Sequence, residues 1–155
     1  MNPLPRRCVV DASVGVKLVI AEELTEYAEA LFAQLYADES AHFAVPDLFF
    51  IECANVLVKY VRRLNYPAHE ARQDIAQLTA LQLERYSTSE LASDALRMAL
   101  EFELSAYDAC YLALSKRLGV PLVTADERLV RKFVKTAYQV LWLGDLETDA
   151  ASEDK

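Results

Sequence analysis

Four acidic side chains stand in otherwise apolar stretches of this sequence, where water cannot easily hydrate them. They are Asp11, Glu52, Asp108 and Asp126. Asp11 and Asp126 each come just after a short apolar run, whereas Glu52 and Asp108 are the only charged residues in longer apolar segments. Carboxylates are almost never fully buried without a partner, because desolvating an isolated one costs several kcal/mol. We therefore expect positive charge to compensate all four.

Bound divalent cations would supply this positive charge. Four carboxylates that share one pocket repel one another unless cations lie among them. Oxygen ligands favour Mg²⁺ or Mn²⁺, and the hydroxyls of Ser13 and Thr124 and the amide of Asn55 are available as supporting groups. The two histidines and three cysteines form no zinc-binding pattern. The sequence therefore favours a magnesium or manganese site.

Each acid also has a purely structural interpretation. Asp11 and Asp126 stand directly before predicted helices and could be N-caps, and the segment from Ser105 to Asp108 matches a capping box. Taken singly, capping explains each of these three acids as well as metal binding does. Glu52 is different, because it lies inside an apolar helical segment with no Lys or Arg four residues later. Its alternative is a buried acid bonded to an unidentified partner.

The elements that carry these acids alternate between strand and helix. Hydrophobic periodicity predicts strands over residues 8–10, 42–45, 83–86, 120–124 and 140–143. It predicts helices over residues 13–21, 22–38, 47–64, 67–81, 90–104, 108–118 and 126–134. This alternation predicts an α/β fold, a three-layer α/β/α sandwich with a mainly parallel central sheet of about five strands.

The predicted sheet brings the acids to one edge. The carboxyl ends of parallel strands line a common crevice, so Asp11 and Asp126 should converge there. Glu52 and Asp108, each predicted in the first turn of a helix, could point at the same crevice.

Length and composition limit the possible classes of protein. A chain of 155 residues with 54% hydrophobic and 26% charged residues is typical of a single folded domain. The net charge of −8 argues against a broadly basic surface that coats nucleic acid, and residues 145–155 carry half of it. Three cysteines without a Cys-x-x-Cys pair, and no signal or membrane-spanning pattern, favour the reducing cytoplasm.

The motifs around the acids resemble those of a known family. These motifs are VVDAS at residues 9–13, IECANVL at 51–57, YDACYLALS at 107–115 and LVTADERL at 122–129. Together and in this order they are similar to the four motifs of the PIN-domain ribonucleases, and in particular to the toxins of VapBC-type toxin–antitoxin pairs. The similarity spans roughly residues 8–143. On this basis residues 1–146 form the nuclease domain, and residues 147–155 are expected to be a flexible acidic tail.

The resemblance implies an activity and a set of site residues. In the family one or two divalent ions, Mg²⁺ or Mn²⁺, are held by acids that correspond here to Asp11, Glu52, Asp108 and Asp126. Hydroxyls at the positions of Ser13 and Thr124 support these acids. The resemblance also implies metal-dependent hydrolysis of RNA phosphodiester bonds by an endoribonuclease, a small antitoxin protein as a partner, and a homodimer or higher homo-oligomer.

The alternatives concern both the basic residues and the activity. Candidates for guiding RNA are Lys59, Arg62, Arg63 and Arg128, together with Lys116, Arg117, Arg131 and Lys132. Each of these could instead serve only the dipole of its helix. The alternative to the nuclease is a catalytically silent PIN-like module for binding or oligomerisation. A phosphatase of the haloacid-dehalogenase type is disfavoured, because Ser13 stands where that family requires a second aspartate.

Overall fold

The computed structural model describes residues 1–148, in which helices and strands alternate along the chain. The strands are β1 (Arg7–Val10), β2 (His42–Pro46), β3 (Glu84–Tyr86), β4 (Leu122–Thr124) and β5 (Val140–Trp142). The helices are α1 (Ala12–Gly15), α2 (Thr25–Ala37), α3 (Leu48–Arg63), α4 (Ala68–Thr79), α5 (Thr88–Phe102), α6 (Ala106–Leu118) and α7 (Glu127–Phe133). Short 3₁₀ segments occupy Val16–Leu18 and Leu143–Asp145.

The five strands form one sheet in the order β3-β2-β1-β4-β5, and every neighbouring pair is parallel. The predicted three-layer α/β/α sandwich is thus confirmed. Cys8, Val9 and Val10 of β1 are apolar and almost fully buried, as expected for the central strand of a parallel sheet covered on both faces.

The strand order places a crevice beside β1. From β1 the chain first builds outward through β2 and β3, and it then returns to the other side of β1 to add β4 and β5. In open α/β sheets this reversal leaves a gap outside the carboxyl ends of the two strands at the switch point, which is where ligands bind. Here those two strands are β1 and β4, with Val10 opposite Val123. Asp11 follows directly after β1.

The helix α3 lies against this crevice because its apolar face packs inward. Phe49, Cys53 and Leu57 repeat at four-residue spacing and are buried. A close approach between α1 and α3 depends on Gly15, since a Cβ there would lie only 2.5 Å from the Cζ atom of Phe49. The backbone after Asp11 is thereby packed directly on the helix that carries Glu52.

The predicted helix over residues 13–21 is interrupted in the structure. It consists of the single turn α1 followed by the 3₁₀ segment Val16–Leu18. Several β-branched residues in this stretch disfavour a long regular helix, and the buried ammonium group of Lys17 forms an ion pair with Glu22 just beyond it. Tertiary contacts therefore override the apolar pattern here.

Cys8, Cys53 and Cys110 are free and buried, and burial raises the pKa of each thiol, to about 12 for Cys53 and about 11 for Cys110. Of the predicted tail, Glu147 donates a backbone hydrogen bond to Asn2, and residues 149–155 lie outside the described residues. No helix within residues 1–148 is both long and apolar enough to cross a membrane.

Candidate active site

Asp11 is the most deeply buried of the four acids, and hydroxyl groups hold its carboxylate. Ser13 Oγ and Thr124 Oγ1 each donate a hydrogen bond of 2.8 Å to the same oxygen, Asp11 Oδ2. The two hydroxyls also accept backbone N–H groups, from Ala125 and Asp126 respectively. Every partner in this network comes from the ends of β1 and β4, so the network fixes the Asp11 side chain rigidly at the switch point.

The N-cap interpretation accounts for the position of Asp11 directly before α1, but the Asp11 side chain makes no capping hydrogen bond there. It is correct for Asp126, whose Oδ1 accepts the N–H of Arg128 at 3.0 Å. In α6, the capping hydrogen bond runs from the N–H of Asp108 to Ser105 Oγ at 3.1 Å. The side chain of Asp108 lines the crevice together with those of Asp11 and Glu52.

Glu52 is the fifth residue of α3, close to the position that the predicted helix gives it. Its Oε1 atom is buried and has no hydrogen-bond partner within residues 1–148. The buried hydroxyl of Tyr111 lies beside this carboxyl and moderates its pKa, yet that hydroxyl is likewise without a partner at full hydrogen-bond geometry. Two polar groups next to each other at the site are thus unsatisfied.

One cavity of about 290 Å³ collects the four acids. Its wall is formed by Asp11, Ala12, Ser13, Glu52, Asn55, Val56, Lys59, Asp108 and Asp126. Asn55 and Lys59 follow Glu52 at helical spacings of three and seven residues, which places all three on one side of α3. Lys59 is the one cationic side chain on this wall among the described residues.

Burial and mutual repulsion raise the pKa values of three acids. The pKa of Glu52 rises to about 7, mainly through burial, with further contributions from Asp11 and Asp108. Burial raises the pKa of Asp11, although the hydrogen bonds from Ser13 and Thr124 oppose the rise. Burial, Asp11 and Asp126 together raise the pKa of Asp108. The cavity therefore holds more negative charge than its own residues can neutralise.

The donor groups fit a divalent cation in chemical type and in charge. They are hard oxygen ligands with no thiolate or imidazole on the cavity wall, a set that suits Mg²⁺ or Mn²⁺. The unpartnered Glu52 Oε1 is an oxygen that such an ion could satisfy. Within residues 1–148, however, no three acidic, histidine or cysteine side chains are grouped tightly enough to enclose an ion as they stand. The acids share a cavity without converging on one point.

The candidate RNA-guiding residues do not form one group. Lys59 lines the acidic cavity, and Arg128 lies 3.8 Å from Asp126 at its edge. Arg62 instead lines an apolar groove between α3 and α4, and Arg63 ends α3 as an exposed residue.

The remaining four basic residues have other partners. Lys132 donates to the backbone carbonyls of Phe102 and Glu103, so it closes the end of α5 rather than that of its own helix. Arg131 pairs with Glu127 within α7, Arg117 bonds to α5, and Lys116 lies over the ring of Tyr138. These contacts are structural.

Tyr111 is the site residue to which sequence reasoning assigned no role. Its position three residues after Asp108 on α6 is the signal that could have found it, since residues at this spacing share a helix face. The apolar neighbours in its motif make it look like a core residue instead, and its ring is indeed buried.

The chain is similar to known proteins in both sequence and structure. The model of the PIN domain family matches residues 8–134. Ribonuclease VapC3 from Pyrobaculum aerophilum is 34% identical over 129 residues, which cover 82% of this chain and 95% of that protein. Ribonuclease VapC9 from Mycobacterium tuberculosis is 33% identical over 121 residues, covering 78% of this chain and 87% of that protein.

Solved structures with the same fold include PAE2754 from Pyrobaculum aerophilum. It superposes with a TM-score of 0.64 at 23% identity, covering 89% of this chain and 84% of that one. VapBC2 from Rickettsia felis, solved bound to a DNA fragment from its promoter, superposes with a TM-score of 0.59 at 13% identity. That match covers 88% of this chain and 98% of the other.

Proposed function

The chain belongs to the PIN domain family, and we propose that it is a metal-dependent endoribonuclease, the toxin of a toxin–antitoxin pair. Its substrate is RNA, and Mg²⁺ or Mn²⁺ is its cofactor, as one or two ions. The observation that carries this activity is the single cavity with four carboxylates on its wall, one of which has a buried oxygen without a partner. The ribonuclease relatives support the reaction class.

Four acids on the cavity wall would hold the ions, each from a different element. Asp11 is the most rigid ligand, because Ser13 and Thr124 fix its Oδ2 atom. Glu52 and Asp108 reach the same cavity from α3 and α6, and Asp126 completes the ligand set at the end of β4. Divalent ions bound here supply a water of lowered pKa and stabilise charge on the leaving oxygen of the phosphodiester.

Binding of RNA also depends on the sign of the charge in the cavity. Without cations, its carboxylates repel the phosphate backbone that must enter. Lys59 on the wall and Arg128 at the edge are placed to contact phosphates, whereas Arg62 and Arg63 lie further along α3. The metal-free protein is therefore expected neither to bind RNA tightly nor to cleave it.

The partners follow from the relatives. Solved neighbours include toxin–antitoxin assemblies from Klebsiella pneumoniae and Rickettsia felis, which supports a small antitoxin that restrains this chain. Self-association into a homodimer or higher homo-oligomer is part of the proposal, and the exposed Leu96 and Leu100 on α5 are apolar surface available for it. Light scattering of the purified chain measures the oligomeric state. The proposed location of the protein is the cytoplasm.

The activity is tested by Asp11→Asn. An asparagine side-chain oxygen can still accept the hydrogen bonds of Ser13 and Thr124, so the fold should persist while one ligand charge is lost. Cleavage of an RNA pool with Mg²⁺ or Mn²⁺ should fall by at least about 100-fold, because even residues that only support metal ligands cost about 10–100-fold when changed. Circular dichroism checks that the variant is folded.

The matched control is Asp145→Asn, an exposed aspartate outside the cavity, and it should cleave like the wild type. Undiminished cleavage by Asp11→Asn would disprove the proposed site. If the wild type cleaves no RNA across Mg²⁺ and Mn²⁺ titrations but still forms a stable complex with a partner, the chain is the catalytically silent module instead.

A further inference from the structure

The buried hydroxyl of Tyr111 has no role in the function proposed above. Tyr111 is among the largest fully buried side chains, with 1% of its surface exposed, and its hydroxyl has no hydrogen-bond partner within residues 1–148. An unsatisfied buried hydroxyl is unfavourable, and a phenylalanine would fill the same space without it. Packing alone therefore does not account for a tyrosine at this position.

The groups around this hydroxyl determine which atom can accept its hydrogen bond. Asp11, Glu52 and Cys53 all lie close enough to act on its pKa, and burial and these groups raise that pKa, so the phenol keeps its proton. A carboxylate is the strongest acceptor among them. Asp11 Oδ2 already receives two hydroxyl donors, whereas Glu52 Oε1 receives none. Glu52 is thus the acceptor that the surroundings leave open.

We propose that Tyr111 is a positioning residue whose hydroxyl donates a hydrogen bond to the Glu52 carboxylate and so orients it for binding a divalent cation. The phenol of α6 holds the Glu52 carboxylate toward the cavity shared with Asp11 and Asp108, and the lone pairs that it does not use remain for the ion. Glu52 has several rotatable bonds. Without this hydrogen bond, ordering its side chain would cost conformational entropy when the ion binds. This role rests on the proposed function, since it presumes that the cavity takes a divalent ion.

In the metal-free protein Glu52 is repelled by Asp11 and Asp108, which both act on its pKa. Tyr111 is a neutral donor, whereas the cationic side chain on the cavity wall is that of Lys59. A neutral donor orients the carboxylate without neutralising it, so its negative charge remains available to attract the ion.

The test measures Mn²⁺ binding directly by titration calorimetry, without RNA. Tyr111→Phe should bind Mn²⁺ about 10–100-fold more weakly than the wild type, the usual cost of losing a group that supports a metal ligand. The melting temperature of metal-free Tyr111→Phe should be slightly lower, because the hydrogen bond to Glu52 is lost. The control Tyr138→Phe removes a hydroxyl from an aromatic cluster outside the cavity and should bind Mn²⁺ like the wild type.

A second pair of variants tests whether Tyr111 acts through Glu52. Once Glu52→Gln has removed the carboxylate, adding Tyr111→Phe should weaken Mn²⁺ binding by less than twofold. Proton NMR of the unsubstituted protein adds a measurement that does not depend on how well Tyr111→Phe folds. A slowly exchanging hydroxyl proton with Overhauser contacts to the Tyr111 ring should be visible and should shift when Mg²⁺ is added.

Equal Mn²⁺ affinity in Tyr111→Phe and the wild type would overturn the positioning role. A hydroxyl proton whose chemical shift does not change when Mg²⁺ is added would also overturn it. A wild type that binds no Mn²⁺ overturns it together with the metal site. If Mn²⁺ binding depends on Tyr111 but no RNA is cleaved, the positioning role stands and the proposed ribonuclease activity fails.

Discussion

Two clusters of buried or half-buried charge lie along the same helix, and they are built in opposite ways. In the cavity, Glu52 of α3 meets carboxylates of its own sign and has an oxygen without a partner. Two turns later, Tyr60 donates a 2.8 Å hydrogen bond to Glu22, which also pairs with the buried Lys17 at 3.0 Å. One cluster is incomplete within residues 1–148, and the other is fully paired.

The difference separates charge that supports the fold from charge that we propose binds a divalent ion. The Lys17–Glu22–Tyr60 cluster ties the segment after α1 to α3 with opposite charges and a neutral donor, so its members stabilise one another. The acidic cavity combines like charges and raised pKa values, which destabilise the metal-free fold. Unsatisfied charge of this kind is typical of functional sites.

The largest expected effect is a loss of RNA cleavage that is accompanied by a gain in stability. Asp108→Asn removes a half-buried charge that Asp11 and Asp126 repel, so metal-free protein should become more stable. RNA cleavage should nevertheless fall by at least about 100-fold, because a ligand is lost. Activity assays and urea denaturation in a chelator test both parts, and a less stable variant would contradict the proposed repulsion.

The pH dependence of stability should reveal the unpaired acid. The pKa of Glu52 is about 7 in the folded protein against 4.5 ordinarily, so the folded state holds this proton more tightly than the unfolded state. Its contribution to stability is complete below about pH 4.5 and is lost as the pH rises through about 7.

In a chelator, the free energy of unfolding should therefore fall by on the order of 2 kcal/mol from pH 4.5 to pH 8, a value reduced for partial exposure of the carboxyl. Urea denaturation across this range measures the fall. Glu52→Gln should make the profile flatter. A profile as steep in this variant as in the wild type would assign the titration to other groups.

Breaking the paired cluster should have the reverse consequence. Lys17→Met leaves Glu22 without its cation and should destabilise the protein by about 1.5 kcal/mol. The figure is below that for a fully buried pair because the Glu22 side chain remains 33% exposed. Thermal and urea denaturation measure the loss, and added Mg²⁺ should not restore it. Restoration by Mg²⁺ would show that Lys17 acts through the cavity.

The smallest effect compares the two tyrosine hydroxyls. Tyr60→Phe deletes a hydrogen bond to Glu22 and should lower stability by about 0.7 kcal/mol without changing Mn²⁺ affinity. Tyr111→Phe should instead weaken Mn²⁺ binding about 10–100-fold. The same urea denaturation and calorimetry on the two variants make this comparison, and matching behaviour would show that the two hydroxyls have equivalent roles.

Much of the site could be predicted because its signals are local in the sequence. Asp11 and Asp126 follow apolar runs that form strands, and an isolated acid in an apolar helix, such as Glu52, is visible without coordinates. What could not be predicted is which side chains pair across the chain. Thr124 bonds to Asp11 over a separation of 113 residues, and only the adjacency of β1 and β4 makes this possible.

The sequence by itself determined the order of helices and strands, the α/β class and the identity of the four acids, because hydrophobic period and residue type are properties of short segments. Only the tertiary structure decided that Asp11 is held by hydroxyls while Asp126 caps a helix, and that Tyr111 lies beside Glu52. Those outcomes depend on how strands pair and helices pack, and residues distant along the chain meet only after burial has brought their elements together.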